Sequence, residues 1–566
     1  MMMSSLHPAV VFLIGGILVG LAGRRLGGII VLLTPALGMV NLLTMDAGAA
    51  WHMELLEYRL DLFRADKLAL LFGYLFHIAA FIGALFALHL RDRIQQAAAL
   101  FYAGSAIGAV FAGDLIVFFL FWELAAVTSV FLIWARRTRR AMAAGLRYLI
   151  IQMVSGLLFF AGVLVRIQET GGFEFGYIGL DGLSSWLILL ALGIKCGFPL
   201  AHNWLTDAYP EATATGTVFL SAFTTKVAVY ALARAYPGTE ILIYVGAAMT
   251  VFPIFYAVIE NDLRRVLCYS MINQIGFMVC GIGIGTAMAM NGAISHAFND
   301  VIFKGLLFMT MGAVLHMTGR MNGSDLGGLY KSMPMTTSFC IVGAASISAF
   351  PLFSGFVSKS MVMVAALEEG HGGVWLMLLF ASAGVFHHAG IKIPYFAFFA
   401  HDSGIRTGEP PLNMRAAMAI GAVLCIAIGA YPAPLYALLP LPVDYDPFTI
   451  GHVLAQAQLL FFGALAFVWL NLSGRYPPEL RSINIDAEWF YRRIAPRLAL
   501  SIGAMIANAD RALRSAFLGG LDAAIESMRY YCGPGGYLAR TRSTGAATLW
   551  IAVLLGATLL IYYARD

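Results

Sequence analysis

Charge is scarce in this chain: 12% of its 566 residues are charged and 60% are apolar, whereas soluble domains carry roughly 25% charged residues. A soluble globular fold is excluded. The six cysteines (Cys196, Cys268, Cys280, Cys340, Cys425, Cys532) are scattered, and no pair has the C-x-x-C spacing of a zinc, iron-sulfur or redox site. They read as small apolar fillers. No glycine-rich phosphate loop, H-E-x-x-H or G-x-S-x-G is present, which leaves nucleotide-driven transport and hydrolase chemistry without support. No acidic cage of oxygen ligands is evident either. The expectation is therefore no metal and no cofactor. The balance of 36 Lys+Arg against 31 Asp+Glu, +5, is too mild to suggest nucleic acid as a partner. Lysine is scarcer still, with only seven among those 36 cations.

What the chain has in abundance is apolar runs. A transmembrane helix needs about 20 apolar residues, and such runs recur near 8–22, 27–45, 66–90, 95–113, 114–134, 142–166, 184–205, 212–236, 239–260, 265–286, 288–318, 335–366 (broken), 374–400, 414–432, 452–472 and 545–563. The expectation is an all-α polytopic membrane protein of about sixteen spans. The first run is itself a span followed at once by Arg24, Arg25 and another run, so it reads as retained rather than as a cleaved signal peptide. Arg91/Arg93, Arg136/Arg137/Arg139/Arg140, Arg264/Arg265, Arg320/Lys331, Arg406/Arg415 and the arginines after 474 fall on alternate loops, whereas 169–181, 368–371 and 444–446 are acidic or poor in cations. The positive-inside rule then places the arginine-rich loops in the cytoplasm and both termini outside, on the periplasmic side of a cell inner membrane.

The segment 473–544 is too polar to span. Phe490, Ile494, Leu498, Ile502 and Ile506, then Leu513, Phe517, Leu521 and Ile525, recur every four residues with Arg492, Arg493, Arg497, Asp510, Arg511 and Arg514 between them. This predicts an amphipathic helix on the cytoplasmic membrane face or along a neighbouring protein of the same complex, broken around Gly519-Gly520 and 533–536. A linker helix packed on its own chain is the alternative.

A charged side chain at the bilayer centre costs at least about 2.5–3.5 kcal/mol, so each needs a reason. Lys195, Lys226, Lys304 and Lys392 sit well inside apolar spans, while Lys67, Lys331 and Lys359 lie at breaks or ends. Arginine dominates the loops. A buried lysine can lose its proton at accessible pH and an arginine cannot, so the partition suggests titrating groups. The competing reading is snorkelling, or pairing that only packs helices. Glu123 stands near the middle of the span 118–127, and Lys195, on a helix broken at Gly197-Phe198-Pro199, is offered as its partner. A second break lies at 350–356. The spans 95–236 and 239–400 each hold five helices, an odd number, which predicts two inverted units. His296, Asp300 and Lys304 share one helical face over roughly 12 Å at 1.5 Å per residue, either a relay or an Asp300–Lys304 packing pair beside a core histidine. His77, His387 and His388 are weaker, and the last two stand close to Lys392. The remaining segments are 1–94, a peripheral pair of spans at 414–472, and a final span at 545–566.

The strings FFLFWELAAVTSVFLI, IKCGFPLAHNWLTDAYPEA, TKVAVYALAR, DLRRVLCYSMINQIGFM, HAFNDVIFKGLLFM and SGFVSKS resemble the proton-translocating antiporter-like subunits shared by respiratory complex I, membrane-bound hydrogenases and multisubunit Mrp-type cation/proton antiporters. They run in family order from about 100 to 400, and Thr206 through Lys359 is most similar to the Mrp D subunits. The resemblance implies that Glu123 is the family carboxylate and Lys195 the lysine it pairs with, His202 and Trp204 keeping their spacing. It implies that Lys226 is the lysine of the next helix, that His296 and Lys304 belong to the central charged file, and that Lys392 is the distal charged position. It further implies a proton wire with an input half-channel at Lys195, transfer through water, Lys226, His296, Asp300 and Lys304, and exit near Lys392, the Glu123–Lys195 pair acting as switch. Other membrane subunits would be partners, with sodium or potassium as the candidate exchanged ion. Two departures stand out. Thr213-Ala214-Thr215 replaces a P-T-P turn, which predicts a differently shaped helix start. Asp300 replaces a second histidine, which would hold Lys304 charged or make Asp300 the carrier. Three functions are compatible: the proton-moving part of a cation/proton antiporter, a proton-pumping subunit of a complex I-like NADH:quinone oxidoreductase or hydrogenase, and a structural membrane subunit.

Overall fold

The computed structural model describes residues 6–46, 48–55, 58–481 and 484–565; the chain ends, and the side chains of Arg24, Arg25, Leu55 and Tyr58, lie outside them. Among the described residues thirteen helices are long and apolar enough to cross a membrane, and Pro8–Leu21, Leu183–Cys196 and Pro334–Ile347 are shorter apolar helices. Every apolar window read from the sequence is occupied by helix. The chain is a multi-pass helical membrane protein.

The first helices are α1 (Pro8–Leu21) and α2 (Arg24–Leu43), followed by a hairpin, β1 (Ala50–Leu55) and β2 (Tyr58–Arg64). The antiparallel hairpin, absent from the all-α expectation, pairs Trp51 with Phe63 and carries an irregularity between Trp51 and His52. Then come α3 (Lys67–Phe86), α4 (Arg93–Phe111), α5 (Leu115–Trp134), α6 (Arg139–Thr170), α7 (Leu183–Cys196), α8 (Asn203–Ala208), α9 (Gly216–Ala222), α10 (Thr224–Ala235) and α11 (Ile241–Ile259). The second half contains α12 (Leu263–Ile284), α13 (Ala287–Thr318), α14 (Pro334–Ile347), α15 (Phe356–Glu368), α16 (Gly372–Val385, continued by π turns to Phe399), α17 (Leu412–Ala430), α18 (Ala433–Leu438) and α19 (Ile450–Leu472).

Part of the small acidic complement is spent on helix starts, where four backbone N–H groups lack intrahelical partners. Asp66, Asp92, Asp114 and Asp262 cap α3, α4, α5 and α12 with their side chains. The 22-residue α12 separates two faces of the bundle. At its start Leu263 N–H donates to Met321 O, and at its end Gly238 N–H donates to Ile282 O. On the first face Arg136, from the loop after α5, and Arg264, in the first turn of α12, both donate to Pro210 O, and the loops carrying Asp325 and Arg481 meet through the Arg481–Asp325 ion pair (2.6 Å). The hairpin and residues 113–114 and 173–175 lie together on the other.

Both predicted breaks are present and locally alike. α7 ends at Gly197, and α14 gives way at residues 348–355 before α15. The strings Phe198-Pro199-Leu200 and Phe350-Pro351-Leu352 occupy equivalent turns, with positive φ before the phenylalanine (Gly197 79°, Ala349 58°) and at the leucine (71° and 72°). A leucine with positive φ costs roughly 1–2 kcal/mol, and both turns carry one. α7 follows a loop on the hairpin face and α14 one on the arginine face, so the two broken helices enter from opposite sides.

Residues Ala487–Asp566 form a second compact unit. There α20 (Ala495–Cys532) runs unbroken through Gly519-Gly520, a correction to the predicted break: two glycines cost about 1 kcal/mol each, which a long cooperative helix absorbs. The helix does end at Gly533. Its apolar row, including Leu513 and Phe517, is exposed, as is α21 (Thr544–Tyr563).

Candidate charged relay

Lys195 lies in the last turn of α7, one residue before the end of that helix, and is buried. Its ammonium donates to the carbonyl of Trp122 (3.2 Å) and rests 3.8 Å from the centroid of the Trp122 ring. A carbonyl and an aromatic face together replace part of its hydration. The expected direct Glu123–Lys195 bond is not closed in this structure: no ion pair within 4.0 Å joins them among the described residues, and Glu123 Oε1 is buried without a hydrogen-bond partner there. Trp122, the residue before Glu123, has taken its place. Gly156 makes room for the carboxylate, since a Cβ there would overlap Glu123 Oε1. Trp204 Nε1 donates to Ile194 O (2.7 Å), satisfying a carbonyl released where α7 stops.

Lys226 and Asp300 form an ion pair across α10 and α13, Nζ to Oδ2 2.6 Å, with both side chains wholly buried. This corrects the Asp300–Lys304 pairing read from helical spacing. Lys304 instead donates to Ser270 Oγ (2.8 Å) on α12. The physical reason is direction: residues four apart on a helix share a face, but a neighbouring helix offers a straighter approach to the carboxylate. One turn earlier on α13, His296 lies between Gln274 Oε1 (3.1 Å from Nε2) and Ser358 Oγ (3.0 Å from Nδ1). A carbonyl oxygen only accepts, so Nε2 carries a proton, while the Ser358 hydroxyl lies between His296 Nδ1 and Ser354 O (3.4 Å).

Lys392 sits in a π turn, where an extra residue per turn redirects the side chain. Its ammonium donates to carbonyls at the end of α11, Ala257 (3.2 Å), Val258 (2.6 Å) and Glu260 (2.7 Å), and pairs with Glu479 (3.0 Å). Of the weaker histidines, His77 bonds the Gly73 carbonyl one turn back, as a core histidine does. His388 is buried with neither ring nitrogen hydrogen-bonded among the described residues. The Thr213-Ala214-Thr215 turn is held without proline: Thr213 Oγ accepts from Gly216 N–H (2.9 Å), and Gln95 donates to the hydroxyls of Thr213 (2.9 Å) and Thr215 (2.7 Å).

Lys195, Lys226, Lys304, Lys359 and Lys392 are thus buried together with Asp300 and His296. Residues 112–386 match the family NADH:quinone oxidoreductase/Mrp antiporter, TM. The matched segment of this antiporter-like family contains Glu123, Lys195, Lys226, His296, Asp300 and Lys304, and Lys392 lies just past its end. The chain is 30% identical over 422 residues to the A/B subunit of a probable K(+)/H(+) antiporter from Rhizobium meliloti (strain 1021), covering 67% of this chain and 42% of that one. It thus spans less than half of that relative's length. It is 28% identical over 354 residues to the D subunit of a Na(+)/H(+) antiporter from Bacillus subtilis (strain 168), covering 59% and 69%. In fold it is similar to a chain of the membrane-bound sulfane sulfur reductase, an archaeal respiratory membrane complex, with TM-score 0.72 at 21% identity, covering 98% of this chain and 99% of that one.

Three further residues join the site that sequence reasoning missed. Lys359, read as a residue at a helix end, is buried and donates to Ile347 O (3.0 Å), a carbonyl freed by the second break, with its ammonium 5.1 Å from the Phe277 ring centroid. Glu479 pairs with Lys392. Asp486 accepts from Tyr269 OH (2.8 Å) and lies 3.1 Å from His202 Nε2. The available signal for Glu479 was Pro477-Pro478, which forbids helix where the chain leaves α19.

Proposed function

We propose that the chain is the proton-translocating subunit of a multisubunit monovalent cation/proton antiporter. Protons pass along Glu123, Lys195, Lys226, His296, Asp300, Lys304 and Lys392, with Lys359 a neighbour of His296 through Ser358. The observation that carries this reading is the wholly buried Lys226–Asp300 pair between two helices, within a row of further buried lysines. Desolvating two ions costs several kcal/mol each, and apolar residues of similar volume are often as stable or better. Packing alone gives no reason to keep Lys195, Lys226, Lys304, Lys359 and Lys392 buried inside a bilayer. The names of the two relatives support exchange of a monovalent cation for protons.

In this proposal 95–236 and 239–400 are two inverted five-helix units, 1–94 and 414–472 flank them, 473–544 is the amphipathic segment and 545–566 a final span. The arginine-rich face is cytoplasmic, both termini are outside, and other membrane subunits of an inner-membrane complex cover the exposed apolar rows of α20 and α21. A redox-driven proton pump is the second reading, favoured by the family description, which spans both kinds of assembly. Cation pulses to everted vesicles carrying the whole complex separate the two. The antiporter reading expects a pH-gradient change on adding Na+ or K+ without any electron donor. A response only to a redox substrate would overturn it.

A further inference from the structure

The relay needs an outlet to water at Lys392, and Lys392 cannot supply one itself. Its side chain is 0% exposed, whereas that of its partner Glu479 is 7% exposed. Both Glu479 carboxylate oxygens are themselves buried, but the flanking Pro478 and Leu480 are exposed, so Glu479 is the member of the pair that stands nearer the surface of the arginine-rich face. Its neighbours in sequence are anchored: Tyr476 packs on the rings of His387 (5.4 Å) and Phe467 (5.2 Å), Arg481 pairs with Asp325 (2.6 Å), and Asn484 donates to Glu260 (3.2 Å). With both sides anchored, the carboxylate between them has a fixed address.

We infer that Glu479 is a proton-carrying residue, exchanging protons between Lys392 and water on the arginine-rich face. This rests on the proposed transport function. The ammonium has three hydrogens for four acceptors within 3.2 Å, three carbonyls and one carboxylate oxygen. When one N–H proton moves to Glu479, the neutral amine keeps donating to the Val258 and Glu260 carbonyls, and its lone pair accepts from the new carboxylic O–H. Charge is conserved and neither polar group is stranded. The acid then releases its proton to water, and Lys392 is reloaded from the interior. Burial raises the Glu479 carboxyl above its ordinary range while Lys392 pulls it back and Glu260 raises it further. The charged and titratable groups around it are Lys392 in the π turn, Glu260 at the end of α11, Arg265 on α12 beside Glu260 (3.8 Å), His387 behind Tyr476, and Arg481 with its partner Asp325.

The test uses the whole complex in vesicles, with cation-dependent pH-gradient formation normalised to assembled complex. Glu479→Gln keeps the shape and removes the titration, and should lower the initial rate by about tenfold or more. Glu479→Asp should retain part of the rate and move the acid limb of the rate–pH profile to lower pH, since aspartate is the more acidic residue. A wild-type rate in Glu479→Gln, or an unshifted profile in Glu479→Asp, would overturn the assignment. If Glu479→Gln does not assemble, Glu479→Asp decides alone: an acid limb moved to lower pH supports the assignment, and an unshifted one overturns it. Lys195→Ala in parallel keeps the two proposals apart. An inactive Lys195→Ala beside a fully active Glu479→Gln removes only the outlet, whereas full activity in both removes the transport reading itself.

Discussion

Replacing Asp300 with asparagine should abolish proton movement and destabilise the complex by about 3–5 kcal/mol, the range for stranding one partner of a buried ion pair. Asp300 is the anion within 2.6 Å of Lys226, and both side chains are wholly buried. An amide there leaves the ammonium uncompensated in a low-dielectric interior. The informative comparison is with Lys226→Met/Asp300→Leu, which removes both charges at similar volume. It should recover most of the lost stability in thermal unfolding of the detergent-solubilised complex, yet remain without transport in vesicles. If the double variant were stable and also transported at the wild-type rate, the pair would be a packing device.

The second large effect is expected at Arg264. The guanidinium is buried and donates to the carbonyls of Pro210 (2.9 Å), Ala212 (3.1 Å), Tyr209 (3.4 Å) and Thr213 (3.1 Å) and to Thr217 Oγ. It thereby ties the irregular turn between α8 and α9, the segment linking the Lys195 break to the Lys226 helix. A stranded carbonyl costs about 1–3 kcal/mol, so Arg264→Ala should lose at least about 3 kcal/mol even after water enters. Arg264→Lys should fall between, because an ammonium has three donors and no planar fork. The adjacent Arg265→Ala is the control: its side chain is 27% exposed and 3.8 Å from Glu260, and about 1 kcal/mol or less is expected. Equal melting temperatures for Arg264→Ala and Arg265→Ala would remove the clamp.

Arg264 also shows where reading the sequence stops. Read as a loop arginine, it is in fact the second residue of α12, and composition cannot distinguish a guanidinium in solvent from one that meets five backbone and side-chain acceptors. The helices were legible because each must satisfy its own backbone in lipid, so that length and apolarity suffice. The breaks were legible from Gly197, Pro199 and Pro351. The charged residues were legible as a set, because a charge within an apolar run needs a reason. Their partners were not. Asp300 is four residues from Lys304 but pairs with Lys226 on another helix, and Lys392 pairs with Glu479 from beyond two further spans. Only the tertiary fold decides such choices. Lys359 escapes a reading by position because a helix end in sequence resembles a membrane surface, whereas the break puts that end in the interior. The hairpin had a signal in the alternation of Tyr58-Arg59-Leu60-Asp61, too short to stand out beside twenty-residue runs.

The central claim is that protons cross on the buried ionisable residues, and Lys195 is the member seated at the first break with Glu123 beside it on α5. The direct measurement is cation-dependent pH-gradient formation in vesicles carrying the whole complex with Lys195→Ala, normalised to the amount of assembled complex. The account predicts normal assembly with the rate reduced by more than about tenfold. An unchanged rate per assembled complex would contradict it.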